Sequence, residues 1–145
     1  MDRRNLFAAT AAALGGLFVA RTVSAAAPDK QKVVYHLADA DKVQFVLGNI
    51  RNHFDGVGGP EHVTIALVVH GPALKAFQTS SANPDMTKRV AGFSKAGLEM
   101  NACGNTMKGM NIALNDLLPD FISADKGGVV RIAELQAQGY VYLRP

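Results

Sequence analysis

The single cysteine of this 145-residue chain, Cys103, is the side chain best suited to covalent chemistry. It follows the short apolar run 98–102 and precedes a helical pattern, so we expect it at a strand-to-helix turn. A thiol there lies near free backbone N–H groups and the positive end of the helix dipole, which favour the thiolate. The sequence therefore predicts a reactive sulfur, and a buried cysteine that only packs is the structural alternative.

Two histidines stand at comparable places along the chain. His36 ends the first predicted strand, and His70 directly follows the second. Because ligands bind outside the carboxyl ends of parallel strands, we expect both to lie near Cys103 at one edge of the sheet. A histidine there could deprotonate Cys103 or stabilise its thiolate, and Asn101 or Asn105 could donate to a developing anion. For each histidine, a hydrogen-bonded residue that merely ends a strand is the alternative.

The elements that must position these side chains alternate between strands and helices. β-Branched and apolar runs predict strands at 32–37, 63–69, 98–102, 121–124 and 140–143. Apolar residues at helical spacing predict helices over 43–54, from Asn83-Pro84 to Gly97, from Asn105 through Leu117, and over 129–138, with a short helical piece at 73–77. This order predicts an α/β fold, a mainly parallel five-stranded sheet with helices on both faces.

Residues 1–27 are typical of an export signal. Arg3 and Arg4 precede a moderately apolar stretch rich in Ala and Gly, and small residues suited to signal peptidase follow it. Arg21, just before those residues, favours the twin-arginine route over general secretion. We therefore expect the twin-arginine machinery as an export partner, cleavage near 25–27, a periplasmic mature protein and no stable membrane anchor.

The remaining chain, 28–145, has the length of one domain. Loss of the signal takes three arginines and one aspartate from the 15 basic and 12 acidic residues, which leaves 12 against 11. With no basic stripe, the sequence argues against nucleic-acid binding. The glycines in Lys126-Gly127-Gly128 lack the spacing of a nucleotide-binding loop. One cysteine excludes an internal disulfide, so the thiol must be protected, modified or used.

Three segments carry a family resemblance: Val68-Val69-His70-Gly71-Pro72-Ala73-Leu74, Ala102-Cys103-Gly104-Asn105-Thr106-Met107, and the tail 131–145. In this order and spacing they resemble the DsrE/DsrF-like family over the whole mature chain. The resemblance implies a five-stranded α/β domain that forms trimers or hexamers. In sulfur-relay members it also implies a cysteine that carries a persulfide, and Cys103 matches that position.

The leading hypothesis is a sulfur carrier or sulfurtransferase without a cofactor, which takes sulfane sulfur from a donor and passes it to an acceptor thiol or small nucleophile. Cys103 would hold the persulfide, Gly104 would let the backbone turn closely around the sulfur, and Asn105 would stabilise negative charge. His70 or His36 would be the proton partner. One alternative is a metal-binding module in which His36, His70 and Cys103 hold zinc or copper. The other is a structural or regulatory oligomer whose cysteine only packs.

Overall fold

Five strands form one all-parallel sheet in the computed structural model, which describes residues 30–145. The strands are β1 (Gln31–Leu37), β2 (Val63–Val69), β3 (Glu99–Cys103), β4 (Phe121–Ala124) and β5 (Val141–Leu143). Their order across the sheet is β4-β3-β2-β1-β5, and every neighbouring pair runs parallel. The predicted α/β fold is thus confirmed, while the predicted export signal lies outside the described residues.

Four α-helices connect or flank the strands: α1 (Val43–Gly56), α2 (Pro84–Lys95), α3 (Gly104–Met110) and α4 (Gly128–Ala137). Short 3-10 segments lie at Ala40–Lys42, Pro60–His62, Gly71–Phe77 and Leu114–Asp116. Helix α2 begins as the sequence predicts, because the Asn83 side chain accepts the Met86 N–H at 2.8 Å and Pro84 occupies the first turn. None of the helices within 30–145 is long and apolar enough to span a bilayer.

The two faces of the sheet bury very different amounts of apolar surface. One face packs against α1 and α2 in a large core that includes Phe77 and Phe93. The other face carries α4 over a small cluster, whose members are Val34, Ala66, Val68, Ile132 and Leu135. Helices therefore cover both faces, but within residues 30–145 the apolar cluster beneath α4 has only these five buried members.

The helix after Cys103 is shorter than its apolar spacing suggested. The sequence predicts a helix that is capped by Asn105 and runs through Leu117, but α3 ends at Met110, and the next residue, Asn111, adopts a left-handed conformation with φ 54°. Asparagine tolerates this conformation and ends helices with it. Leu117 still reaches the core through the following 3-10 turn, which keeps the apolar spacing without a continuous helix. At the other end Cys103, not Asn105, is the cap residue.

Candidate functional site

Three side chains that could take part in chemistry meet at the carboxyl edge of the sheet, on the face that α4 covers. His36 pairs in register with Val68, and Val69 pairs with Ala102, so His70 and Cys103 continue adjacent strands at the same level. Since side chains alternate between the faces of a sheet, His36, His70 and Cys103 project to one side. The sheet thereby collects the residues that the sequence analysis singled out.

The Cys103 sulfur is buried and faces the beginnings of two helices. Cys103 is the N-cap residue of α3, and its Sγ accepts the Gly128 N–H of α4 at 3.1 Å. Glycine at 128 permits this approach, because a Cβ there would lie 3.3 Å from both the Cys103 Cβ and the Val68 Cγ1. Gly104 is similarly confined, since its Cβ would lie 3.0 Å from the Ala124 carbonyl oxygen. Gly128 thus lets α4 approach the sulfur, whereas Gly104 lets α3 pack against the end of β4.

Hydrogen bonds to the Cys103 sulfur favour its charged form, the thiolate. Burial raises the pKa of the Cys103 thiol, but hydrogen bonds from the Thr106 hydroxyl and from the backbone N–H groups of Thr106, Gly128 and Asn105 lower it. The donors prevail, and the pKa lies below the usual value for cysteine. The site therefore favours a thiolate, which is the nucleophilic form of sulfur.

The Thr106 hydroxyl is oriented by a second bond. The Gly71 N–H, at the start of the segment that follows β2, donates to Thr106 Oγ1 at 2.9 Å. A hydroxyl that accepts from one neighbour can still donate its own proton to another. The bond from Gly71 uses an acceptor position, so the hydroxyl proton of Thr106 stays available for Cys103.

The two histidines form a chain that ends at a tyrosine. His36 Nε2 lies 2.6 Å from His70 Nε2, and His36 Nδ1 lies 2.7 Å from the Tyr142 hydroxyl. Burial, then His70 and Arg144, lower the pKa of His36 to about 4, against an opposing effect of Asp39. Burial and Arg144 also lower the pKa of His70. At neutral pH both rings are uncharged, and a single proton bridges the two Nε2 atoms.

His70 and Cys103 line the same cleft, of about 340 Å³, together with Asn105, Thr106 and the start of α4. Within residues 30–145 no hydrogen bond joins Cys103 to either His36 or His70. The sulfur instead accepts hydrogen bonds from backbone N–H groups and a hydroxyl. A proton-transfer role for either histidine stays a prediction.

The two asparagines take different places. Asn105 lies at the cleft and offers its backbone N–H to the sulfur. The buried Asn101 side chain instead donates to Glu99 Oε1 at 3.0 Å and to the Leu67 carbonyl at 3.4 Å. With both amide hydrogens used there, Asn101 does not donate to Cys103.

Metal binding finds little support in the geometry. Across residues 30–145, no three or more His, Cys, Asp or Glu side chains are grouped so that they could hold a metal ion. The imidazoles of His36 and His70 bond to each other, and Cys103 bonds to Gly128. The three side chains share an edge of the sheet without forming a ligand set.

Three contributors to the site were not identified from the sequence: Thr106, Gly128 and Tyr142. Thr106 stands three residues after Cys103, one helical turn away, and this spacing could have indicated it. Gly128 belongs to a glycine pair before a helix, whose spacing does not match a nucleotide-binding loop and indicates no other role. Tyr142 shares the face of the histidines because it pairs in register with Val34 of β1.

Comparison with known proteins gives a consistent result. The model of the DsrE/DsrF-like family matches residues 5–145. The chain is similar to the structure of a protein of unknown function, MTH1491 from Methanobacterium thermoautotrophicum, with TM-score 0.70 and 24% identity over 80% of this chain and 100% of that one. It is also similar to the ychN protein from E. coli, with TM-score 0.56 and 13% identity over 79% and 99% of the two chains. At these identities both structures support the fold alone, and no curated protein matches the chain.

Proposed function

Because this chain belongs to the DsrE/DsrF-like family, which is associated with sulfur relay, we propose that it handles sulfane sulfur through a persulfide on Cys103. The observation that carries this proposal is the set of hydrogen bonds on the sulfur, above all the Gly128 N–H at 3.1 Å from Sγ. These donors lower the pKa of Cys103 even though burial opposes them. A thiolate prepared in this way is the group that attacks sulfane sulfur.

Loading is a displacement at sulfur. The Cys103 thiolate attacks the outer sulfur of a donor persulfide, R–S–SH, and a new S–S bond forms while the donor S–S bond breaks. The donor leaves as R–S⁻ with the electron pair, and Cys103 becomes Cys–S–SH. Donor and carrier together neither gain nor lose electrons, so the step needs no redox cofactor.

Unloading repeats the same step with the roles exchanged. An acceptor thiolate attacks the outer sulfur of the Cys103 persulfide, takes that sulfur and releases the Cys103 thiolate. The N–H groups of Gly128 and Thr106 stabilise the released charge, as they do before loading. Cys103 is therefore both the attacking group and the leaving group of the cycle.

His70 is proposed as the proton partner of these steps. It lines the cleft of Cys103, and its lowered pKa keeps it neutral near pH 7, so it can accept the thiol proton and return it to the departing thiolate. His36, bonded to His70 and to Tyr142, holds the ring of His70 in place.

The location and assembly of the carrier are parts of the same proposal. We propose export by the twin-arginine machinery, a periplasmic mature protein, and a homotrimer or homohexamer. Exposed apolar side chains on α4, Val129 and Val130, are compatible with self-association. Replacement of Arg3 and Arg4 by lysine should leave precursor in the cytoplasm, and light scattering of the mature protein should show no monomer.

Mass spectrometry of polysulfide-treated protein tests the sulfur chemistry directly. The wild type should gain about 32 Da for each sulfur atom inserted, and the addition should disappear after a reductant. Cys103→Ser should gain nothing, and His70→Ala should load more slowly. A folded wild type that neither gains sulfur nor reacts with iodoacetamide would contradict the proposal and would leave the cysteine with a packing role.

A further inference from the structure

A polar chain connects β3 to α4 beside the reactive cysteine. The Arg131 guanidinium of α4 donates from Nε to Asn101 Oδ1 at 3.0 Å and from Nη2 to Glu99 Oε1 at 2.7 Å. Asn101 closes the triangle by donating to the same Glu99 oxygen at 3.0 Å. The Asn101 side chain is only 1% exposed, so these bonds satisfy a polar group that would otherwise be costly to bury.

The same two elements, β3 and α4, carry both the triangle and the Gly128–Cys103 hydrogen bond. Glu99, Asn101 and Cys103 alternate along β3 and therefore project to one face. Gly128 and Arg131 are three residues apart on α4 and therefore lie on one side of that helix. Strand β3 thus presents two members of the triangle together with Cys103, and α4 presents the third member one helical turn from Gly128.

Besides these bonds, the beginning of α4 is held by the buried Gly128 and by the turn bond from the Gly127 N–H to the Ala124 carbonyl oxygen at 2.8 Å, and the next side chains add little. Val129 and Val130, the residues that follow Gly128, are 67% and 40% exposed. The buried α4 side chains, Ile132 and Leu135, come later in the helix. The remaining ion pair of Arg131, with Glu134 at 3.7 Å, stays within the helix and does not attach it to β3.

We infer that Arg131, Asn101 and Glu99 are positioning residues for Cys103: they fix the first turn of α4 on β3 so that the Gly128 N–H stays on the sulfur. This role rests on the proposed function only in taking Cys103 as the reactive group. None of the three side chains is bonded to Sγ, so they act through the placement of Gly128.

A purely electrostatic influence on the sulfur makes the opposite prediction for one variant. Glu99→Ala removes a negative charge near Cys103, and by charge alone it would stabilise the thiolate. If Glu99 acts by anchoring Arg131, the same substitution loosens the helix, weakens the Gly128 hydrogen bond and destabilises the thiolate. The sign of the effect therefore separates the two explanations.

The experiment measures the rate of iodoacetamide alkylation of Cys103 against pH. We expect Glu99→Ala and the neutral substitution Asn101→Ala each to raise the midpoint and to slow alkylation at pH 7 about threefold to tenfold. Arg131→Met should do the same, and Arg131→Lys should recover part of the loss because one charged donor group remains in place of the two nitrogens of the guanidinium. His70 and Lys126, the other ionisable groups of the cleft, are unchanged in all four variants.

Arg89→Met is the matched control. Arg89 also donates to a neighbouring side chain, Gln44 Oε1 at 2.8 Å, but it lies on α2 across the sheet from α4 and should leave the midpoint unchanged. Glu99 lies partly at the surface, so its variant retains the fold even if Asn101→Ala does not.

One outcome would overturn the inference and leave the proposed function standing. In that outcome the wild type has a low alkylation midpoint, and a folded Glu99→Ala protein has the same midpoint or a lower one. A wild-type midpoint at the value of free cysteine would overturn both the inference and the proposed function.

Discussion

Replacing Thr106 by valine removes a side-chain donor to the reactive sulfur while keeping the shape of the side chain. The Thr106 hydroxyl lowers the pKa of Cys103, and it also accepts the Gly71 N–H at 2.9 Å. Valine can do neither. The substitution therefore affects the thiolate and the stability of the fold through two separate hydrogen bonds.

The expected shift of the Cys103 pKa follows from the free energy of one hydrogen bond to a charged group. That free energy is about 1.5–3 kcal/mol, which corresponds to about 1–2 pKa units. Thr106 lies partly at the surface, so water replaces some of the lost stabilisation, and the lower limit applies. We expect the pKa of Cys103 to rise by about one unit. Alkylation at pH 7 should slow by up to about tenfold, the factor that one pKa unit can give.

The second effect concerns the free energy of unfolding. Without an acceptor the Gly71 N–H is left unpaired, which costs about 1–2 kcal/mol. Urea denaturation of Thr106→Val should show this loss. Thr106→Ser keeps the hydroxyl, so it should remain close to the wild type in both the alkylation midpoint and the unfolding free energy.

The alkylation midpoint is read from iodoacetamide rates between about pH 5 and pH 10, a range that brackets the ordinary cysteine pKa. Because the chain contains one cysteine, the rate reports Cys103 alone. A folded Thr106→Val protein with the wild-type midpoint would refute the reasoning. The backbone N–H groups would then account for all of the stabilisation of the thiolate.

Three further predictions concern neighbouring groups. Because the pKa of His36 is lowered from 6.5 to about 4, the unfolded chain takes up a proton first as pH falls, so stability present above pH 6.5 is lost toward pH 4. Urea unfolding should show a loss of up to about 3 kcal/mol from this group, with a shallower pH dependence in His36→Gln. Gly128→Ala should push α4 from Cys103 and cost about 1–2 kcal/mol in thermal unfolding, whereas Gly109→Ala, which has no atom within 4 Å of the added Cβ, should be neutral or stabilising. Tyr142→Phe should lower the unfolding free energy by about 1 kcal/mol by removing the bond to His36, with no shift of the Cys103 alkylation midpoint.

The fold could be predicted from the sequence because its local patterns agree with one another. The continuous apolar run of β2 is typical of a central parallel strand, and the structure places it third of five. The start of α2 followed from Asn83 and Pro84, whose local effects do not depend on the rest of the chain. The length of α3 did not follow, because a left-handed Asn111 interrupts an apolar spacing that the next turn resumes.

The candidate site could be predicted only in part, for a physical reason. Strand ends identify His36, His70 and Cys103 because parallel strands bring their carboxyl ends to one edge. The donors to the sulfur are backbone groups, and a backbone N–H has no signature in the sequence. Gly128 and Cys103 are 25 residues apart, and their contact depends on how α4 returns across the sheet.

The uneven division of the core sets the order in which parts of the molecule come apart. Helix α4 packs on the sheet through an apolar cluster of five buried side chains, two of them its own, while the opposite face carries the large cluster. Detachment of α4 therefore requires less free energy than global unfolding. Such an opening breaks the Gly128 hydrogen bond and uncovers Cys103 while the rest of the sheet remains intact. The cysteine is thus a built-in reporter of subglobal unfolding: a bulky thiol reagent that cannot enter the closed cleft labels the protein at a rate set by the opening of one helix.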